Sequence, residues 1–381
     1  MITFFKSLLE EIDFTSKKIG LLLIFFIAMP FLSMWIGGAY YNSYVNDVAI
    51  AVLDEDNSSL SRKIVRYFDE NERFIVEYYA KDKAELEQLI DERKVHMGVY
   101  IPKDLNMNVK DGIQSQVLIL TDGTNAIISN NLYAGAASIV QTVSAGAAIQ
   151  VIEAKGSLEE NVANNMALPI TFEERMLYDS KLTYMNYLMY GIFAVFLQQL
   201  MLSSMATLMS RNPEEVAAKG TLPKLFAKMV VAGTCLIGSG AFSIYLIHRK
   251  FGLIFNGSIG LAVLISVLFA VAISCAGIIL YSFTGKKTRF TQIAYMLSLP
   301  TFLTCGYVWP IDQMPNALVA LVKTFWPLMS YARSFDEILI KNLSFADVKG
   351  DIIALVIYIL IMLPIGIWCF KRKFGSEVET C

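Results

Sequence analysis

The sequence predicts an α-helical membrane protein with six transmembrane helices and an external α/β domain inserted between spans one and two. Three observations predict this class. First, charge is scarce: 17% of the 381 residues are Asp, Glu, Lys or Arg and 55% are hydrophobic, whereas soluble chains carry about 25% charged residues. Second, the deficit falls in long runs without any charge, and a run of roughly 18 mostly apolar residues crosses the ~30 Å hydrocarbon core as a helix. Third, the remaining charge is uneven. Residues 42–183 hold 22 acidic and 13 basic side chains, a net −9, while the rest of the chain holds 12 acidic and 19 basic, a net +7. An acidic soluble part attached to a membrane part with basic flanks follows, and no basic patch suggests nucleic acid.

Residues 1–18 read as an interfacial amphipathic helix. Phe4, Phe5, Leu8, Leu9 and Ile12 recur at helical spacing, with Lys6, Glu10, Glu11 and Asp13 on other faces; a polar lead-in is the alternative. Span one occupies 19–41, behind Lys17 and Lys18. It reads as an uncleaved anchor rather than a signal peptide, because the run is long and no small-x-small cleavage site precedes the acidic segment.

Residues 42–183 alternate strands (48–54, 73–79, 96–102, 116–122) with helices (58–70, 81–94), which makes an α/β domain. Its last helix, 126–154, is rich in small residues and apolar enough to resemble a span. Asn130, Asn131, Gln141 and Gln150 argue against that. Spans two to six follow within 184–371, at about 184–209, 229–247, 258–283, 290–309 and 352–370, and a tail of 372–381 closes the chain.

Lysines and arginines orient the spans. Lys6, Lys17 and Lys18, then Arg211, Lys219, Lys224 and Lys228, then Lys286, Lys287 and Arg289, and finally Lys371, Arg372 and Lys373 fall on one side. The expected location is the bacterial cytoplasmic membrane, with both termini in the cytoplasm and 42–183 outside. Two outer loops fit this less well: the short one after span three holds His248, Arg249 and Lys250, and the longer one after span five holds Lys323, Arg333, Lys341 and Lys349, spread out and mixed with acids.

Several chemistries are excluded. The span centres carry no ionisable residue, so a proton- or sodium-coupled carrier is disfavoured; Gln198, Gln199, Ser203, Ser204, Thr234 and Ser274 suit helix packing. Segment 280–288, LYSFTGKKT, lacks the first glycine and the Ser/Thr of a P-loop. No G-x-S-x-G or H-E-x-x-H motif occurs. Two histidines, and five cysteines of which none lies in 42–183, leave neither a metal site nor a disulfide framework there. No catalytic residue is expected.

Two stretches carry mechanism. In 211–229, between spans two and three, Pro213 starts a short helix, Glu214 and Glu215 suit its first turn and Gly220 its end. Such a helix at the membrane face can dock in a groove of a soluble partner. In 300–335, Pro300, Gly306, Pro310 and Pro315 imply bent or re-entrant backbone, with a short helix at 317–326 and Trp309 and Trp326 at the interface.

These residues resemble a known family. Pro300, Gly306, Pro310, Met314, Pro315, Pro327 and Tyr331, together with VAIAVLDEDNSSLS (48–61), YIPKDL (100–105) and LTDGTNA (120–126), are similar to the membrane permeases of type-2 ABC exporters, in the subgroup with a large external domain between spans one and two. Gly220, Thr221 and Leu222 resemble that family's coupling segment. Ala218 stands where the family commonly has a glutamate, and Glu214 and Glu215 are the candidates to replace it. The resemblance implies two paired permeases, as homodimer or heterodimer, and separate ATP-binding cassette subunits that hold ATP and Mg. This chain itself would hold no cofactor. Glu214, Glu215, Gly220, Thr221 and Leu222 would couple to the ATPase. Pro300, Gly306, Pro310, Met314 and Pro315 would wall the exit for a hydrophobic substrate such as a drug or lipid, and a periplasmic adaptor is sometimes involved. The alternative from another class is a membrane-anchored receptor or scaffold with an external ligand-binding domain.

Overall fold

The computed structural model describes residues 2–40, 46–156, 177–179, 183–218 and 220–375. Parts of the expected 42–183 segment (42–45, 157–176 and 180–182), Lys219 and 376–381 of the expected tail lie outside them. The chain separates into two units, residues 44–175 and residues 1–43 with 176–381.

The 44–175 unit is built on a four-stranded sheet in the order β2-β1-β3-β4. The strands are β1 (Val48–Asp54), β2 (Phe74–Tyr79), β3 (Met97–Ile101) and β4 (Leu118–Thr121). β1 pairs in parallel with β2 and β3, and β4 is antiparallel to β3. VAIAVLD is a near-continuous apolar run because β1 is covered on both faces. On one face Ile50 and Val52 meet Ile64 and Phe68 of α3 (Ser59–Asp69). On the other, Ala51 and Leu53 meet Leu86 and Leu89 of α4 (Lys83–Asp91). Ser58 caps α3, accepting from the Leu60 and Ser61 amides, while Ser61 Oγ accepts from the Ser58 amide. A short α5 (Leu105–Asp111) follows β3; its polar sequence carries no periodicity that would foretell it.

The long helix α6 (Ala126–Gly156) buries Leu132, Ala136, Ile139 and Val143 in the core of the first face. Their 4-3-4 spacing is one helical stripe. The small residues of this helix permit close approach: the Gly135 Cα faces the Phe74 ring with no room for a larger side chain.

The other unit is helical. α1 (Ile2–Ser16) precedes α2, which spans Ile19–Ala39. α2 widens to a π-helical stretch over Leu23–Ala28, just ahead of Pro30, whose missing N–H breaks the regular ladder. Then come α7 (Tyr184–Met209), α8 (Pro213–Ala218), α9 (Thr221–Phe251), α10 (Ile259–Thr284), α11 (Lys287–Leu303), a 3₁₀ turn at Ile311–Gln313, α12 (Asn316–Phe325), α13 (Met329–Lys341) and α14 (Phe345–Phe374). α7 is the central element, packed against α9, α10 and α11, and α10 lies along α14.

Among the described residues six helices are long and apolar enough to cross a membrane: α2, Ile128–Glu153 within α6, α7, α9, α10 and α14. Five coincide with expected spans. The sixth is α6, which the sequence assigns to the α/β domain and whose first half packs on the sheet. The expected fifth span, 290–309, is shorter than predicted. Its helix, α11, begins at Lys287 and ends at Leu303 after 17 residues. Pro300 removes one backbone donor, and Gly306 turns the chain at φ 83°. Two other spans are longer than expected. α9 starts at Thr221 behind the left-handed Gly220, and α14 starts at Phe345 behind a Ser344–Asp347 capping box. Residues 221–229 therefore belong to α9 rather than to a loop.

Candidate functional site

The α8–α9 junction brings the predicted coupling residues together. Asn212 takes a left-handed conformation (φ 45°) that turns the chain from α7 into α8. Glu214 and Glu215 occupy the first turn of α8, where the helix dipole favours them, while Val216 and Ala217 face inward. Glu215 Oε1 lies 2.8 Å from Lys224 Nζ, and its Oε2 accepts from Asn212 Nδ2 at 3.3 Å. The hydrogen bond and charge of Lys224 hold the Glu215 carboxyl below its usual range. Gly220 has φ 69°, which only glycine adopts without strain, and it sets the angle between α8 and α9. Thr221 is buried and donates from Oγ1 to the Ala217 carbonyl at 3.1 Å. Leu222, in contrast, is half exposed. Buried side chains thus fix this corner, and Leu222 and Glu214 are left on its surface.

The sequence reading missed what holds the corner from behind. α1 buries a polar stripe, Ser7, Glu11 and Thr15, and leaves Phe5, Leu9 and Ile12 exposed. The stripe packs on α9. Glu11 Oε1 receives a hydrogen bond from Lys228 Nζ at 2.7 Å and lies 3.6 Å from Arg211 Nη1. Lys228, only 1% exposed, also donates to the Leu208 carbonyl at 2.7 Å. Arg211 donates to the Glu10 carbonyl and stacks over Phe14 at 4.6 Å. The i, i+4 recurrence of 7, 11 and 15 was the available signal, but the apolar set on the opposite face masked it.

The predicted exit residues also fall in one region. Pro300 lies inside α11, and its carbonyl accepts from Thr304 Oγ1 at 2.7 Å. A side chain at Gly306 would collide with Ile311. Pro310 precedes the 3₁₀ turn, Met314 is buried at its end, and Pro315 precedes α12. Around this frame lies a polar network that the sequence did not reveal. The Tyr307 hydroxyl donates to the Tyr187 carbonyl and sits 3.4 Å from Asp336 Oδ1. Tyr187 returns a bond to the Val308 carbonyl at 3.2 Å. Gln198, fully buried in α7, accepts from Trp326 Nε1 at 2.7 Å and donates to Thr301 Oγ1 at 3.4 Å, joining α7, α11 and the end of α12. Burial pushes the Asp336 carboxyl up to about 7.

A separate cavity of about 220 Å³ lies in the same unit. Phe193, Leu236, Ile244, Ala262 and Phe335 line it. The Ser266 and Tyr331 hydroxyls in its wall bond each other at 2.9 Å.

Residues 20–368 match the ABC-2 family transporter protein family. This chain belongs to that family. It is 21% identical over 342 residues to the probable multidrug ABC transporter permease YbhR of Escherichia coli strain K12, covering 86% of this chain and 88% of the relative. The same permease from Escherichia coli O157:H7 matches equally. The ABC-2 chain is accordingly a permease subunit of an ABC transporter, and its family implies an ATP-binding partner subunit.

Proposed function

We propose that this permease pairs with a second permease, identical or related, to form the export path for a hydrophobic or amphipathic substrate. A separate ATP-binding cassette subunit, carrying ATP and Mg, drives it. The α8–α9 corner is the contact with that subunit, with Glu214 and Leu222 at the contact and Glu215, Gly220 and Thr221 holding its shape. The observation that carries this reading is mechanical. The corner continues without a break into α9, a helix of 31 residues, and α1 clamps it through Glu11 and Lys228. A push at Leu222 moves a whole span rather than a loop.

The bent segment from Pro300 to Pro315 forms the exit wall. The 44–175 unit lies outside the bacterial inner membrane and the termini in the cytoplasm, where a periplasmic adaptor could meet that unit. The multidrug label of the Escherichia coli relative supports an apolar cargo. The test is uptake of a fluorescent amphipathic dye into inside-out vesicles that contain the permease and its ATP-binding subunit. Leu222→Asp is expected to lower the ATP-dependent part by about tenfold or more, equivalent to ~1.4 kcal/mol. Uptake that is the same with and without ATP would contradict the reading.

A further inference from the structure

Residues 304–310 join α11 to the 3₁₀ turn without regular helix. Their backbone is weakly held. Among the described residues, no amide from 306 to 309 donates to another backbone group, and segments with few backbone hydrogen bonds are the ones that open locally. Gly306 is left-handed within the stretch, and Pro310 fixes the backbone at its end. Cys305, near its start, is fully buried.

Side chains fasten this segment to α7. Tyr187 and Gly191 stand about one helical turn apart, and the Tyr307 ring fills the space that a Cβ at Gly191 would need. The Tyr307 hydroxyl donates to the Tyr187 carbonyl, and the Tyr187 hydroxyl donates to the Val308 carbonyl at 3.2 Å. The two rings stack with centroids 6.1 Å apart. Two neighbouring residues of the segment thus exchange bonds with one residue of α7. A glycine inside a helix weakens it relative to alanine, and α7 carries one where the ring must sit. The Tyr307 hydroxyl has one hydrogen to give, and α7 takes it. A second acceptor, Asp336 Oδ1 on α13, lies 3.4 Å away. Tyr307 can therefore leave α7 without losing a partner, and two discrete arrangements are what a gate requires.

Resting on the reading of the Pro300–Pro315 segment as the exit wall, we propose that Tyr307 is the latch of that exit. Seated at Gly191, it holds 304–310 against α7 and keeps the exit shut. Transfer of its hydroxyl from the Tyr187 carbonyl to Asp336 frees the segment, and ATP-driven transport requires that release.

The test is the rate at which a small maleimide labels Cys305 in the full chain, resolved from the other cysteines by peptide mass spectrometry. Tyr307→Phe keeps the ring and removes the hydroxyl, and Gly191→Ala evicts the ring. Each is expected to speed labelling by about tenfold, with thermal unfolding confirming the fold. ATP, added to the wild type with its ATP-binding subunit, is expected to raise the wild-type rate towards that of Tyr307→Phe and to leave the variant's rate unchanged. A side chain that merely packs would not respond to ATP. A folded Tyr307→Phe permease that labels at the wild-type rate would overturn the latch, even if Gly191→Ala failed to fold. So would a wild type that takes up dye with ATP while Cys305 keeps its resting rate. Failure of the export reading shows separately, as dye uptake that does not depend on ATP, and the comparison of Tyr307→Phe with the wild type needs no transport.

Discussion

Lys228 is buried beside a single carboxylate, and that arrangement has a definite energetic consequence. Removing one partner of a buried ion pair strands the other and costs about 3–5 kcal/mol, whereas replacing both by apolar groups is often neutral. Lys228→Met is therefore expected to lower thermal stability strongly, and Glu11→Leu combined with Lys228→Met to recover much of it. A calorimetric or dye-based melt of the purified permease measures both. Asp336 behaves differently, because burial raises its carboxyl from 3.8 to about 7. Tyr307, Tyr190, Glu337 and Lys341 are the titratable groups that face it. The fold favours the neutral acid, so its stabilising contribution is full below the ordinary value and is lost as pH rises through about 7. Asp336→Asn is expected to melt above the wild type at about pH 8 and to show a flatter profile from there down to about pH 4. A wild type whose stability rises relative to the variant as pH increases from about 4 to about 8 would contradict this. Neither residue was legible in the sequence as more than a charge. Lys228 sits beside Lys224 in what reads as a basic loop, and its burial depends on Glu11, more than 200 positions away.

At the scale of elements, the periodic segments were the legible ones. β1 and α7 have the predicted limits, Val48–Asp54 and Tyr184–Met209, because β1 is filled by an apolar run and α7 by a long run without a charged residue. Ends decided by single residues were less legible. The left-handed Gly220 starts α9 eight residues before the expected span, and the Ser344–Asp347 box does the same for α14. α11 was read too long because the apolar residues after Leu303 continue the hydropathy of a helix that Pro300 and Gly306 have already ended. α6 posed the opposite problem, since its composition would let it cross a bilayer. Its buried stripe serves the sheet, and Ala134 lies off that stripe, exposed. On the proposed placement of the 44–175 unit outside the membrane, Ala134→Cys is expected to react with a membrane-impermeant maleimide added to intact cells whose outer membrane has been permeabilised. Labelling that appears only after the cytoplasmic membrane is lysed would refute that placement. The chain's five cysteines all lie outside 42–183, so labelling of the variant is read against the unsubstituted permease.

For the whole molecule, the account rests on a division of labour. The chain holds a helical unit, whose central helix α7 ties α9, α10 and α11 together, and a small α/β unit with a core of its own. Its sequence has no P-loop, and its family implies an ATP-binding partner subunit. The most direct measurement is a mild-detergent pull-down of the tagged permease from its native membranes, followed by an ATPase assay on the captured material. The account predicts a co-purifying ATP-binding cassette subunit with measurable ATP hydrolysis, and a lower yield of that subunit from Leu222→Asp at equal recovery of folded permease. Folded permease that captures no ATP-binding subunit and no ATP hydrolysis would contradict it.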